Sequence, residues 1–321
     1  MLRPGRRWVV GTTAAVSALA VVGVLFFSTR EQPYDRSFDT RVAEPTYVNN
    51  APLVLYDEGH LNTHTVARAY KPFADLMRND GYKLRVARQP ISTGVLAGVS
   101  VLVVVGARGT NEANDAPAFS DSETAAIEHW VRGGGSLLLV TDHWPYGSAV
   151  ESLSQRFGVQ MGKGLVEDPE HHDSRLGESH LVFTRESGLL RDHAIIRGRL
   201  PAEQIRRVLT FTGQSLLGPP EAVAFMALSD AAIERPPTAP QVEKHGGDIR
   251  VRMEYGQPVS VRGRAQGIAL ELGTGRIVIL GDAGMLRAQR DSRGLRVGMN
   301  VSGYDNRQLA LNIMHWLSRV I

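Results

Sequence analysis

The stretch from Ile127 to Gly147 constrains the fold of this chain more than any other. It opens with apolar residues at helical spacing and continues with Gly133 to Gly135, which favour the left-handed backbone angles at the end of a helix. Leu137 to Val140 is then apolar without alternation, as in a central parallel strand that is buried on both faces. A helix, a glycine turn and a buried strand in this order predict an α/β fold.

Strands and helices alternate along the rest of the chain in the same way. The predicted strands are Leu53–Tyr56, Tyr82–Ala87, Val99–Val105, Gly267–Leu272 and Arg276–Leu280. Three helices are predicted. The first presents an apolar face from Val66 to Met77, and the second begins near Ser120 or Asp121 with a capping box. The third begins at Asp305 near the end of the chain. Residues 51–321 are therefore predicted to form a doubly wound, mostly parallel, flavodoxin-like sheet, with a β-rich insertion at about 180–265.

The composition narrows the class of function. Hydrophobic residues make up 43% and charged residues 21% of the chain, which is an ordinary globular balance. The net charge of +3 equals the contribution of Arg3, Arg6 and Arg7 alone, so the basic balance gives no reason to expect a nucleic-acid partner. The chain has no cysteine, which excludes disulfides, thiolate metal sites and a cysteine nucleophile.

The N-terminal residues predict a single membrane anchor. Residues 8–27 carry no charge and are long enough to span a bilayer as a helix. Three arginines precede them, so residues 1–7 are expected to be a cytoplasmic tip and the main domain to be extracytoplasmic, on a polar tether at 28–50. A cleaved signal peptide is the alternative, but the apolar run is long for a signal and no small-residue cleavage site follows it.

Polar residues follow three of the predicted strands. Asp57 and His60 come after the first, Asp142 and His143 after the strand at 137–140, and Asp282 after the last. The carboxyl ends of parallel strands lie at one edge of a sheet, where α/β proteins bind their ligands. The sequence therefore predicts a site of carboxylates and imidazoles at this edge.

The same residues allow several kinds of chemistry. His60 and His64 are four residues apart, as on one face of a helix, and with Asp142 and His143 they are candidate ligands of a divalent metal, to which Asp282 adds an oxygen. His143 is alternatively a general base, oriented by Asp142 or Asp57. In a purely structural interpretation the aspartates cap helices and hold turns.

The turn Gly106-Ala107-Arg108-Gly109 follows the strand at 99–105 and has two interpretations. Its backbone N–H groups are suited to binding an oxyanion, and Gly106 and Gly109 are equally suited to an ordinary tight turn. The glycine spacing does not fit a dinucleotide-binding or Walker loop.

Several of these motifs together resemble a known superfamily. They are the helix–GGG–strand unit at 132–141, VVVGARG, GRIVILGDAGML and DNRQLALNIMHWL. Over roughly 50–160 and 265–321 they resemble the class I glutamine amidotransferase-like superfamily. Within it, they are similar to a bacterial membrane-associated family of unknown function, related to gliding-motility, intraflagellar-transport and trehalose-utilisation-like domains.

The resemblance has two departures that bear on function. Amidotransferases carry a cysteine after the strand that corresponds to Leu137–Val140, where this chain has Thr141-Asp142-His143. They also carry His-x-Glu after a late strand, where this chain has Gly281-Asp282-Ala283. Glutamine hydrolysis is therefore not expected. His143 matches a histidine that is frequent in the trehalose-utilisation-like group, which implies a sugar-type or other small polar ligand.

These observations lead to one expected function and two alternatives. We expect a protein of the bacterial cytoplasmic membrane whose extracytoplasmic domain binds a small polar ligand or an envelope protein. The first alternative is a hydrolase that uses His143 with Asp142 or Asp57, with or without a metal. The second alternative, a subunit of a membrane transport complex, requires an exposed apolar patch on the insertion or the final helix.

Overall fold

The computed structural model describes residues 25–28, 34–109, 116–238, 241–245, 248–291 and 294–321. The α-helices are α1 Lys71–Asn79, α2 Asp121–Arg132, α3 Tyr146–Ala149, α4 Glu151–Gln155, α5 Ala194–Arg197 and α6 Asn306–Leu317, with short 3-10 helices at Pro201–Glu203 and Gly284–Leu286. The strands are β1 Leu25–Ser28, β2 Leu53–Asp57, β3 Lys83–Ala87, β4 Val101–Val105, β5 Ser136–Val140, β6 Gln160–Met161, β7 Leu165–Glu167, β8 Val182–Thr184, β9 Arg207–Leu209, β10 Leu216–Leu217, β11 Val223–Ala227, β12 Ile233–Arg235, β13 Gln241–His245, β14 Asp248–Met253, β15 Val259–Ser260, β16 Ala265–Leu272, β17 Gly275–Leu280, β18 Ala288–Arg290 and β19 Arg296–Gly298.

The central sheet is mixed, with a parallel half. Strands β3, β2, β4, β5 and β17 lie side by side and are all parallel. Numbered by their order in the chain, these five strands run 2-1-3-4-5, which is the flavodoxin-like order. Strands β16, β10, β6 and β11 extend the sheet in antiparallel pairings beyond β17. The α/β class and the parallel core are as predicted, while the antiparallel half makes the sheet more mixed than expected.

The apolar strands are buried because the sheet is covered on both faces. Val101, Val103 and Val105 of β4 belong to a core that includes the apolar faces of α1 and α6. Leu102 and Val104 point to the opposite face, into a second core that includes α2. A strand between two layers of helices needs apolar residues at every position, which is why these runs do not alternate.

Helix α2 begins and ends close to its predicted limits. Ser120 is the N-cap and forms a capping box with Glu123, so one of the two predicted caps is confirmed. The helix ends at Arg132, and Gly134 takes a φ of +112° in the turn that follows. Gly135 is required for a different reason, because a Cβ there would lie 2.2 Å from the ring of Trp130.

The β-rich part of the chain lies between β5 and β16, around the predicted segment at about 180–265. Its strands begin at Gln160, and β6, β10 and β11 join the central sheet. The others pair outside it: β7 and β15 with β12, β8 with β9, and β13 with β14.

The predicted cytoplasmic tip at 1–7 and most of the predicted anchor, residues 8–24, lie outside the described residues. Leu25–Ser28 contains the last three residues of the predicted anchor and the first residue of the predicted tether; it is strand β1 and pairs antiparallel with β14. Across the described ranges, no helix has the length and apolar character that a bilayer crossing requires.

Residues 34–50, most of the predicted tether, lie against the domain. The side chain of Asp35 accepts a hydrogen bond from Asn300, and Phe38, Val42 and Tyr47 pack against the core. The polar composition of this segment suggested a free spacer, but its few apolar side chains are enough to hold it in place.

Candidate functional site

The carboxyl ends of the parallel strands bring the predicted site residues to one edge of the sheet. Asp57 ends β2, Gly106 follows β4, Asp142 and His143 follow β5, and Asp282 follows β17. The register places Val105, Val140 and Leu280 side by side at the ends of β4, β5 and β17. Their hydrogen bonds divide the polar side chains into two groups, one around His60 and one around Asp142.

The first group, which we call the His60 clamp, consists of Asp57, His60 and Glu123. His60 Nδ1 lies 2.8 Å from Asp57 Oδ1, and His60 Nε2 lies 2.9 Å from Glu123 Oε1. All three side chains are buried. The imidazole also lies against the ring of Phe119, with 4.0 Å between the ring centroids. Both ring nitrogens are therefore used to join the loop after β2 to the start of α2.

The electrostatics of the clamp favour a protonated histidine. Burial opposes protonation, but the hydrogen bonds and charges of Asp57 and Glu123 outweigh it and raise the pKa of His60 above its ordinary value. An imidazolium that donates to two carboxylates has no lone pair for a metal or for a substrate proton. The clamp therefore has the properties of a structural ion cluster.

The glycine turn after β4 supports this clamp. The backbone N–H groups of Arg108 and Gly109 both donate to the carbonyl oxygen of His60, at 3.0 Å, and Gly106 N donates to Val140 O at 3.1 Å. Gly106 and Gly109 have φ values of +56° and +71°. These three N–H groups have protein acceptors, so the tight-turn interpretation fits the geometry and leaves them unavailable to an oxyanion.

The second group begins with Asp142, His143 and Asp282. Asp142 accepts hydrogen bonds from the backbone N–H of His143 at 2.9 Å and of Ala283 at 3.3 Å. His143 Nδ1 lies 2.9 Å from the carbonyl oxygen of Trp144, and its Nε2 lies 3.5 Å from Asp142 Oδ1. Asp282 accepts from the backbone of residues 211 and 284, both at 2.7 Å. The strand ends at 140 and 280 thus bring two carboxyl groups into one buried cluster.

Arg287 completes this group, although its sequence context indicates only a polar loop. Its Nη2 makes a hydrogen bond with Nε2 of His64. A guanidinium can only donate, so Nε2 of His64 is the acceptor and the imidazole proton is on Nδ1. The ring of His64 is stacked between Tyr70 and Tyr146, with centroid distances of 5.4 and 6.4 Å. We call His64, Asp142, His143, Asp282 and Arg287 the Arg287 cluster.

Burial determines the charges in the Arg287 cluster. It raises the pKa of Asp142 to about 7, against the effect of Arg287, and it raises the pKa of Asp282 well above the ordinary value, with the neighbouring Asp142 adding to the effect. Burial lowers the pKa of His143 to about 4, and burial with the charge of Arg287 lowers the pKa of His64. At neutral pH both imidazoles are uncharged and Asp142 is partly protonated, so burial reduces the negative charge that lies beside the guanidinium.

The candidate metal ligands do not form one set. His60 belongs to the clamp, whereas His64 contacts Arg287. Leu61 has a φ of +49°, so the chain between the two histidines is not helical and their spacing of four does not place them on one face. Within the described part of the chain, no three histidine, aspartate or glutamate side chains are arranged to hold a metal ion.

The β-rich part of the chain covers much of this edge. Gln214 Nε2 donates to Thr141 Oγ1 at 3.2 Å, and Phe211 N donates to Asp282. Arg108, Tyr146 and Arg287 remain partly exposed. The open side of the Arg287 cluster is therefore the side that faces Arg108 and Tyr146.

A groove with a volume of about 760 Å³ lies at the opposite edge of the sheet. The residues that line it include Lys83, Ser100, Ser136 and Arg319. These residues surround the amino ends of the strands, whereas ligands of open α/β sheets bind at the carboxyl ends. The concentration of buried ionisable groups at the carboxyl edge is the stronger indication of a site.

The polar residues near the start of the last helix have structural roles. Asp305 accepts from the backbone N–H groups of Arg206 and Arg207, at 2.7 and 2.9 Å. Asn306 accepts from Leu209 N at 3.0 Å and donates to its carbonyl oxygen at 2.7 Å. The DNRQLALNIMHWL motif therefore holds β9 of the β-rich part against the sheet.

Fold and site together define a doubly wound α/β domain of flavodoxin-like strand order, in a chain that has no cysteine. Among solved structures, the chain is similar to the N-terminal domain of mmIFT52, with a TM-score of 0.56 and 14% identity, covering 83% of this chain and 97% of that domain. This likeness shows the fold and carries no information about activity.

Two further solved structures are similar at lower scores. A ThuA-like protein from Bacteroides uniformis has a TM-score of 0.39 and 13% identity, covering 86% of this chain and 95% of that one. The cytoplasmic protein STM3548 from Salmonella typhimurium has a TM-score of 0.45 and 11% identity, covering 83% and 98%. Neither a protein-family model nor a curated protein matches the sequence.

Proposed function

We propose that this chain is a binding module that holds a small polar ligand at the Arg287 cluster. The observation that carries the proposal is the partly buried side chain of Arg287 beside Asp142, at the carboxyl edge of a flavodoxin-like sheet. Burying a charge is costly unless it is paired, and such groups are concentrated at binding sites. A polar ligand would supply the missing partners.

The geometry gives less support to a hydrolase. His143 is 1% exposed and its Nδ1 is engaged by the carbonyl of Trp144. Its pKa of about 4 makes it a weak base. Asp57, the other proposed orienting group, belongs to the His60 clamp and contacts His60. His143 is therefore better suited to shaping the ligand site than to removing a proton.

The described residues give little support to the third interpretation, a subunit of a transport complex. Leu309, Ile313 and Trp316 of α6 are buried in the core of the domain. Among the described residues, the large apolar side chains that are exposed are spread from Val48 to Leu295. Single exposed apolar residues are normal on protein surfaces.

We further propose that the domain is anchored in the cytoplasmic membrane by residues 8–27 and faces the extracytoplasmic side. The supporting observation is the uncharged apolar run behind Arg3, Arg6 and Arg7. Fractionation of cells that express the full chain, followed by protease treatment of spheroplasts, tests this placement. A chain that is found in the soluble fraction, or one that is protected in intact spheroplasts, contradicts it.

A ligand screen on the full chain tests the binding function. We expect a neutral or charged polar metabolite at 1–10 mM, roughly ten or more times a weak Kd, to raise the melting temperature by a few degrees. The same compound should have no effect on Asp142→Asn. Asp230→Asn is the matched control, because Asp230 is exposed and pairs only with Arg262 on the surface. A shift that persists in Asp142→Asn places the ligand elsewhere and contradicts the proposal.

A further inference from the structure

The Arg287 cluster contains hydrogen-bond donors that have no acceptors. Nε of Arg287, Nε of Arg108 and Nδ1 of His64 are buried, and none has a partner with hydrogen-bond geometry among the described residues. His64 is 7% exposed, and its proton is on Nδ1 because Nε2 accepts from Arg287. Buried donors without acceptors are rare in folded proteins, and each implies a missing partner.

The two arginines also lack the partners that arginines elsewhere in this chain have. Arg175 pairs with Asp173 at 2.7 Å, and Arg199 pairs with Glu203 at 2.6 Å. Within the described ranges, neither Arg108 nor Arg287 has a carboxylate at ion-pair distance. The phenol of Tyr146 is close enough to feel the charge of both guanidinium groups, so they face the same region.

The missing partner is an acceptor, and two guanidinium groups without a carboxylate at ion-pair distance among the described residues favour a negative one. Resting on the proposed binding function, we propose that the ligand carries a carboxylate or phosphate group, bound by Arg287 and Arg108 with His64 as a third donor. A guanidinium donates two parallel hydrogen bonds to either of these groups, and this geometry is specific to planar or tetrahedral oxyanions.

The rest of the cluster suits an anion. Burial raises the pKa values of Asp282 and Asp142, so that Asp142 is partly protonated near pH 7. The carboxyl groups beside the arginines therefore repel an anion less than two carboxylates would. The hydroxyl of Tyr255, which is buried without a partner and feels the charge of Asp142, is a further donor on this side.

Anion titrations of the full chain test the inference. The probes are inorganic phosphate and malonate, with sodium chloride at equal ionic strength and glucose as controls; melting temperature and calorimetry are the readouts. We expect phosphate or malonate to bind wild type and to bind Arg287→Met at least tenfold more weakly. Arg287→Lys, which keeps the charge but loses the planar fork, should be intermediate. Preference for phosphate or for malonate identifies which oxyanion the ligand carries.

Arg262→Met is the matched control, because Arg262 is exposed and pairs with Asp230 away from the site. It should bind both anions as wild type does. If Arg287→Met does not fold, Arg108→Met tests the same site through the second arginine.

The outcomes separate this inference from the proposed function. Anion binding that is equal in wild type and Arg287→Met overturns the inference. A neutral metabolite that requires Asp142, together with no binding of either anion, overturns the inference and leaves the binding module standing. Absence of any binding, neutral or anionic, overturns both.

Discussion

His60 and Glu123 join two parts of the chain that are 63 residues apart, through a hydrogen bond of 2.9 Å between Nε2 and Oε1. Glu123 is also the N3 residue of the capping box of α2. One carboxylate therefore completes a helix cap and binds an imidazole that is held on its other side by Asp57. The loop after β2 and the start of α2 are fixed to each other by this residue.

Replacing His60 by glutamine should destabilise the protein. The change leaves the buried carboxylates of Asp57 and Glu123 without their shared cation, so we expect a loss of about 3 kcal/mol in the free energy of unfolding. Urea denaturation of the full chain measures it. His129→Gln is the control, since His129 is exposed on α2, and it should change stability by about 0.5 kcal/mol or less. Equal effects of the two substitutions would show that the clamp contributes nothing.

The clamp should also make stability depend on pH. Despite the opposing effect of burial, Asp57 and Glu123 raise the pKa of His60 above its unfolded value of 6.5. Its stabilisation is therefore complete below pH 6.5 and is lost as the pH rises through the folded pKa. We expect the stability difference between wild type and His60→Gln to shrink as the pH rises above 6.5. A difference that grows with pH would mean that His60 is neutral in the folded protein.

Asp142 should make the free energy of unfolding depend on pH in a lower pH range than His60 does. Burial raises its pKa from 3.8 to about 7, so between these values the folded protein holds a proton that the unfolded chain has released. Stability then falls as the pH rises, by at most about 1.4 kcal/mol per pH unit. Relative to Asp142→Asn, wild type should lose stability from pH 4 to pH 7. Parallel curves for the two proteins would contradict a raised pKa.

The parallel half of the fold could be predicted because each of its strands and helices has a pattern within a short stretch of sequence. Leu137–Val140 is apolar at every position since both of its faces are covered, and Ser120 precedes Glu123 by the three residues that a capping box needs. The antiparallel pairings beyond β17 were not predicted, although β16 lies where a strand was predicted at Gly267–Leu272. Strands of two or three residues, such as β6 and β10, are too short to show a period and depend on their neighbours for their conformation.

The division of the site into two groups is not visible in the sequence for a similar reason. The local context of Glu123, three residues after Ser120, indicates only a helix cap, and the local context of Arg287 indicates only a polar loop. The contacts of Arg287 with His64, and of Glu123 with His60, join residues that are far apart in the chain. The local signal for Arg287 is its position directly after the GDAGML motif, five residues after Asp282.

Gly109 in the glycine turn should tolerate a side chain less well than Gly98, which has the same backbone angle and serves as its control. Gly109 and Gly98 both have a φ of +71°. A Cβ on Gly109 would lie 2.5 Å from Cα of Ala118, whereas a Cβ on Gly98 would have nothing within 4 Å. Gly98→Ala therefore introduces backbone strain alone, at a cost of about 1 kcal/mol.

Gly109→Ala adds a clash with backbone that cannot rotate away, so we expect a total loss of about 3 kcal/mol or more. Gly106→Ala should be intermediate, because its Cβ would meet Oγ1 of Thr63 at 2.8 Å and that side chain can turn. Urea denaturation of the three variants gives the order. If Gly109→Ala lowers the free energy of unfolding no more than Gly98→Ala does, the turn does not pack against residue 118. The two hydrogen bonds from Arg108 and Gly109 to the His60 carbonyl would then fix the turn less firmly than their geometry indicates.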